Sequence, residues 1–255
     1  MDKSVVDGQY KRQYVRLPLK NACNVRDLGG YACGVNGITN WNTLLRGDDL
    51  ACLDDSDIKF LLDYGVRCVI DLRAPNEVAK SPDAFANVKE ARYYNFPLLD
   101  VVLKELSEVL SNNSNAAEFM CKMYVNLLQN ESQTIKKILS TIADTDEGAV
   151  LFHCTVGKDR TGIIAAILLG IAGVDIVDII SNYEVTYTYT RQNPVLLEKE
   201  VGLPKELFYS DTDYLKNAIE YVNVNYGSLD GYLKWAGVSE EVLERIRKKF
   251  VKHII

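Results

Sequence analysis

The stretch "GAVLFHCTVGKDRTGIIAAILLGIAG", Gly148 to Gly173, carries two apolar runs on either side of ten polar or glycine-rich residues. "GAVLF" is short and apolar throughout, which predicts a strand buried on both faces. "TGIIAAILLGIAGV" is long enough for a helix and closes on Gly173. Between them "HCTVGKDRTG" brings a thiol, an imidazole, two cations and an acid to the edge of a core. A strand that turns directly into a helix puts such a loop at the C-terminal edge of an open α/β sheet, where these sheets bind ligands.

Outward from this point the pattern repeats. "VRCVIDLR" (Val66 to Arg73) reads as a second buried strand and "ARYYNFPL" as a shorter one. "DDSDIKFLLDYG" opens on acids and Ser56 and ends on Gly65, which are helix start and stop signals. "YVRLPL" (Tyr14 to Leu19) reads as a strand, "NVRDLGGYACGVNG" as turns, and "TLLRGDD" as extended. Residues 116–143 alternate at helical spacing. From Asp175 onward the chain reads mainly helical, ending in "SEEVLERIRKKF" with acids first and bases last. Strands alternating with helices predict an α/β fold, with a central sheet flanked by helices and a largely helical C-terminal part. Without a repeat, linker or low-complexity tract, residues 1–255 read as one domain. Within it, residues 1–50 form a strand-and-loop region and residues 175–255 a helical covering region.

Composition narrows the function. With 47% hydrophobic residues and a net charge of -6, the 255-residue chain resembles an ordinary globular protein, and nucleic acid is an unsuitable partner. An anion would have to be bound by a local, strongly cationic site. No apolar stretch reaches membrane-spanning length, and "MDKSVVDGQY" lacks a signal-type hydrophobic segment. The chain therefore reads as cytoplasmic, with export by a signal-less route left open. The six cysteines are scattered singly and there are two histidines, so no zinc or redox site is indicated and a metal cluster would have few ligands.

Two familiar phosphate motifs do not fit the loop. Position 152 is Phe where a Walker A loop needs Gly, and Lys158 is followed by Asp159 rather than Ser or Thr. A dinucleotide fingerprint needs more glycines before Gly162. What remains is Cys154, five residues, Arg160, then Thr161. Six cysteines and eleven arginines would produce that spacing by chance in roughly one such chain in four. The strand and helix on either side give it meaning. A loop in that setting can turn its amides (Thr155, Val156, Gly157, Lys158) onto one oxyanion, assisted by the helix N-terminus. Arg160 can add a planar fork of donors. The same field stabilises a thiolate at Cys154, placed for in-line attack on phosphorus and a phosphocysteine intermediate. Thr161 can hydrogen-bond the sulfur, and His153 can brace the loop from behind. Lys158 can point into the pocket or onto its wall, or pair with Asp159 in solvent.

A rhodanese-type sulfur carrier has a loop one residue shorter, and a pseudophosphatase usually loses the Cys or the Arg. A phospho-ligand binding module without turnover is the alternative from a different class. Turnover of an aryl phosphate with a chelator present would separate module from enzyme.

"HCTVGKDRTG" resembles the H-C-x-x-G-K-D-R-T-G loop of the atypical bacterial tyrosine/serine protein phosphatases, some of which also hydrolyse phosphoinositides. "NVRDLGGY", "LLRGDDL", "GVRCVIDLRAPNEV", "DIISNYEVTYTY" and "GYLKWAGVSEEVLERIRKKF" are similar to stretches of that family in the same order, so the resemblance spans nearly the whole chain. It implies a cysteine-phosphatase fold, no cofactor and helices that can cover the site. Expected ligands are phosphorylated proteins or peptides, with phosphoinositides as the alternative and inorganic phosphate as product or inhibitor. On this reading "NYEVTYTYTRQNP" (Asn182 to Pro194) either covers the pocket or forms a core helix face.

The proton donor is the open point. Residues 101–143 hold no aspartate, so the common arrangement of a loop Asp some thirty to forty residues before the nucleophile is absent. Asp71, Asp159 and Asp100 are the candidates, in that order of preference for the first two. Asp71 could equally brace Arg73.

Overall fold

The computed structural model describes residues 5–6, 9–10, 12–98, 116–191 and 204–253. A five-stranded sheet forms the centre. Its strands are β3 (Arg26–Asp27), β6 (Leu44–Gly47), β7 (Val66–Asp71), β8 (Arg92–Asn95) and β9 (Ala149–His153), in the order β3-β6-β9-β7-β8. All neighbours run parallel except β3, which is antiparallel to β6. A second sheet joins β4 (Ala32–Cys33), β5 (Gly37–Thr39) and β10 (Val251–His253), and β1 (Val5–Val6) pairs with β2 (Gln9–Tyr10).

Both faces of the large sheet are covered, which explains the unbroken apolar run of β9. Val150 and Phe152 join a core cluster on the helical side, while Ala149 and Leu151 join one under α1 (Asp55–Tyr64). Each such fully buried large side chain contributes about 1.5–3 kcal/mol relative to exposure. Helix α1 follows its sequence signals: Asp54 accepts the Asp57 amide at the N-cap, and Gly65 closes the helix with φ 114°. Beyond it come α2 (Pro75–Lys80), α3 (Ala116–Asn130), α4 (Ser132–Asp144), α5 (Asp159–Ala172), α6 (Ile176–Thr190), α7 (Thr212–Tyr226), α8 (Leu229–Trp235) and α9 (Glu240–Phe250). Helix α5 is buried nearly all round, its Ile163, Ile164, Leu168 and Leu169 lying within the larger core. No helix among the described residues is long and apolar enough to cross a membrane.

"YVRLPL" is not a strand. The segment touches β3 through one bridge, Arg16 to Arg26, and Pro18 has no N–H with which to continue a ladder. The parallel register brings Gly47, Asp71 and His153 level at the C-terminal edge of the three middle strands. The polar loop leaves from that edge, at the centre of the sheet.

Candidate active site

Cys154 follows the last residue of β9 and Arg160 lies in the first turn of α5, so Cys154 to Lys158 form the whole connection. Cys154 is buried, with its sulfur accepting the Gly157 N–H at 3.3 Å. The loop's carbonyls are held from the other side. The Asp49 amide donates to Thr155 O at 3.2 Å, Asn24 Nδ2 to Val156 O at 2.9 Å, and Arg46 Nη2 to Gly157 O at 2.6 Å. In a planar trans peptide the N–H points opposite to the C=O. Three carbonyls drawn backwards therefore turn the amides of Val156, Gly157 and Lys158 toward the Cys154 side. The Gly157 amide on the sulfur shows this directly.

Gly157 has φ 71°, and a Cβ there would lie 2.5 Å from the Gly47 carbonyl oxygen. Neither the dihedral nor that backbone contact can relax cheaply. Gly157→Ala is expected to lower kcat/KM by about 10²-fold or more, since a displacement of about 1 Å can cost that much. Gly227→Ala has a similar φ, 77°, but open space around it and no place in the site. It should lose some stability in thermal melts and keep its activity.

Arg160 is fixed by a residue that the sequence did not single out. Glu77 of α2 takes its guanidinium at both ends, Nη1 to Oε2 at 2.6 Å and Nη2 to Oε1 at 3.0 Å. Thr155 Oγ1 donates to the same carboxylate and accepts from Arg160 Nη2 at 3.3 Å. Burial works to raise the Glu77 carboxyl, but the Arg160 and Thr155 hydrogen bonds and the Arg160 charge hold it near about 2, so it stays ionised. Glu77 stands within the quoted "APNEV", but nothing local marks an ion pair across 83 positions.

The remaining expected residues are placed as follows. His153 sits behind the loop, fully buried, with Nδ1 3.3 Å from Cys154 O and Nε2 3.0 Å from Asp83 Oδ2. Burial opposes its charge, yet the Asp83 hydrogen bond and the charges of Asp83 and Asp71 raise its pKa above the usual imidazole value. Asp71, Asp83 and His153 lie close enough together to resemble a cation site. Arg73 already fills that role, with Nη2 2.7 Å from Asp71 and 3.6 Å from Asp83. Thr161 is wholly buried, and its hydroxyl makes no bond to the sulfur or to any other group.

Lys158 pairs with Asp159, as one of its expectations has it, but inside the protein and not in solvent. It is buried, and its ammonium donates to the carbonyls of Leu207 at 2.6 Å and Tyr209 at 3.0 Å, with Asp159 Oδ1 at 3.4 Å. It therefore fastens the 204–211 segment to the loop. Asp71 takes the bracing role. Its carboxylate accepts the Arg73 amide, Nε and Nη2 and the Tyr93 hydroxyl, and it is wholly buried. Burial raises its carboxyl, but the Arg73 hydrogen bonds and the His153 charge outweigh that and hold it below the usual value. Such a group keeps its charge instead of donating a proton. Asp159, the first residue of α5, is partly exposed and accepts the Tyr124 hydroxyl at 2.6 Å. Asp100 lies outside the described residues.

The segment expected either to cover the pocket or to form a core face takes the second course. In α6, Asn182, Tyr183 and Thr186 are buried, Asn182 Oδ1 accepts Arg46 Nη1 at 2.7 Å, and the Tyr183 hydroxyl meets that of Tyr124 at 2.6 Å. Residues 192–194 lie outside the described residues.

A loop with a buried cysteine between a parallel strand and a helix N-terminus, closed by a carboxylate-braced arginine, has the architecture of a cysteine-dependent phosphatase. Residues 17–252 match the family described as "Tyrosine phosphatase family". The chain belongs to that family, and its enzyme class is protein-tyrosine phosphatase. It is 30% identical over 218 residues to a tyrosine-protein phosphatase of Nostoc commune, covering 81% of this chain and 73% of the relative. It is 26% identical to the triple specificity protein phosphatase PtpB of Mycobacterium tuberculosis, covering 90% and 96%. A structure of TpbA from P. aeruginosa in complex with pTyr matches at 16% identity and a TM-score of 0.42, covering 82% of this chain and 98% of that one. These relatives do not favour the phosphoinositide alternative.

Proposed function

We propose that this enzyme hydrolyses phosphotyrosine in proteins or peptides, and phosphoserine or phosphothreonine as second substrates, without a metal and through a phosphocysteine at Cys154. The observation that carries this reading is the set of three loop carbonyls held from behind, with the Gly157 amide already on the sulfur. Amides arranged in this way before substrate arrives can meet a phosphoryl oxyanion without reorganisation. The Cys154 thiolate attacks phosphorus and the bond to the tyrosine oxygen breaks. The oxygen leaves with a proton, and water then hydrolyses the thiophosphate to inorganic phosphate. The breadth toward phosphoserine and phosphothreonine is supported by the relative described as triple specificity.

Asp159 supplies the proton in this proposal and Asp71 does not. Asp159 is partly exposed at the loop and next to Arg160, whereas Asp71 is locked to Arg73 inside the sheet edge. General-acid help is worth about 10²–10⁴-fold and matters most when the leaving group is poor. Asp159→Asn is therefore expected to slow an alkyl phosphate or phosphoserine peptide far more than an activated aryl phosphate. Equal losses on both would move the role elsewhere. The test of the mechanism itself is a rapid acid quench of labelled phosphotyrosine peptide with a chelator present. Label is expected on the peptide containing Cys154. Turnover that stops with the chelator, or label on another residue, would refute the reading.

A further inference from the structure

Two arginines lie behind the loop with no carboxylate at ion-pair distance among the described residues. Arg26 on β3 and Arg46 on β6 are each 1% exposed. Arg46 donates to Gly157 O and Asn182 Oδ1, and Arg26 donates to Asn24, to Asn182 O at 2.8 Å and to Thr186 Oγ1 at 2.8 Å. All of these partners are neutral, and among the described residues the Nε of each arginine has no hydrogen-bond partner. Among the described residues no carboxylate lies within ion-pair distance of either. The other cations at the site are all compensated: Arg160 by Glu77, Lys158 by Asp159, His153 by Asp83, and Arg73 by Asp71 and Asp49. Asp48 lies on the Arg26 side, but its carboxylate is held by the Cys23 and Asn24 amides.

Two adjacent buried guanidinium charges are costly unless some negative charge faces them. The ionisable groups that act on Arg46 are Cys154, Tyr31, Tyr124, Tyr183 and its cross-strand partner Arg26. Burial, the Asp159 charge and the other phenol push Tyr124 well above the usual phenol value, and burial and Asp159 do the same to Tyr183; both therefore stay neutral. Burial brings the Arg46 guanidinium down to about 10, and Cys154 is the largest influence raising it.

We infer that Arg46, backed by Arg26, is a positioning residue whose uncompensated buried charge holds Cys154 as a thiolate while its hydrogen bond to Gly157 O keeps the loop amides turned inward. This rests on Cys154 being the nucleophile. Two effects come from one side chain, because a guanidinium can bridge Asn182 and Gly157 with different N–H groups and still be a permanent cation.

The test is the pH dependence of Cys154 alkylation by iodoacetamide, followed by mass spectrometry on the Cys154 peptide. Arg46→Gln keeps an N–H donor but removes the charge, and it is expected to raise the midpoint by about one unit or more. Arg46→Lys keeps the charge and should shift it much less. Asn182→Asp leaves Arg46 in place and sets an isosteric carboxylate on it, a buried pair compatible with the fold. It should also raise the midpoint and move the acidic limb of the kcat/KM profile upward by a similar amount. A low wild-type midpoint that none of these variants shifts, with activity lost equally at every pH, would overturn the inference and leave the mechanism standing. A wild-type midpoint at the ordinary thiol value would instead overturn the thiolate mechanism, and this inference with it.

Discussion

Cys154→Ser is expected to lower phosphotyrosine turnover by about 10⁴-fold or more while leaving phosphate binding nearly intact. The physical reason is the difference between sulfur and oxygen in this particular place. The thiol sits at the end of the central strand, almost out of solvent, where one loop amide already donates to it. The proposed mechanism uses an ionised sulfur, the form that loop dipoles and a helix N-terminus favour. A serine hydroxyl in the same field stays an alcohol at neutral pH and is a poor nucleophile without a base to take its proton. The nearest imidazole, His153, faces Asp83 and the Cys154 carbonyl behind the loop, so it is not arranged to serve as that base. The groups proposed to bind phosphate, namely the inward amides and Arg160, are untouched by the substitution. Calorimetric titration with inorganic phosphate should therefore give a dissociation constant close to that of the parent. Substantial chelator-resistant turnover by the Ser variant would mean that another group attacks phosphorus.

The parts of this site visible in the sequence are those encoded locally. The strand–loop–helix unit shows itself because β9 is apolar on both faces and α5 nearly all round, with Gly173 as the stop. Cys154, Gly157, Arg160 and Thr161 lie within eight positions of one another, so spacing alone brings them together. The supports came from elsewhere and carried no periodic signal. Glu77, Asn24, Arg46 and Asp49 reach the loop across separations that no helix or strand pattern describes. One clue was available for Arg46: a charged residue in "TLLRG", otherwise an apolar extended run, has to find its partners in the interior. For Lys158 the sequence shows the neighbouring Asp159 but not the two backbone carbonyls 49 and 51 residues downstream, which side-chain chemistry does not predict. For Asp71 the sequence offered two roles, and burial beside Arg73 selects the structural one.

Arg160→Lys is expected to reduce kcat/KM by about 10²–10³-fold, close to the loss for Arg160→Ala, although the charge is kept. A surface arginine in a first helical turn would tolerate lysine with near-normal kinetics. Here the guanidinium is 7% exposed and its plane is set by Glu77 at both terminal nitrogens, with Thr155 bridging. That geometry needs several N–H donors in one rigid plane, so that a carboxylate can be held along one edge and an oxyanion met along another. An ammonium is a single point with three rotating donors. Lysine would either collapse onto the ionised Glu77 or reach the phosphate alone, leaving a half-buried, unpaired carboxylate beside an anionic substrate. Glu77→Gln separates the two contributions, because it removes the opposing charge but keeps a similar shape. It should cost much less than Arg160→Lys if Glu77 serves to orient the arginine. In the double variant Arg160→Lys with Glu77→Gln, the loss should be smaller than the sum of the two single free-energy changes, because the unpaired carboxylate is gone. Steady-state kinetics on one phosphotyrosine peptide for the three variants measures this directly. Strict additivity would show that Glu77 and Arg160 act independently, and the braced fork would then have no part in binding the phosphoryl group.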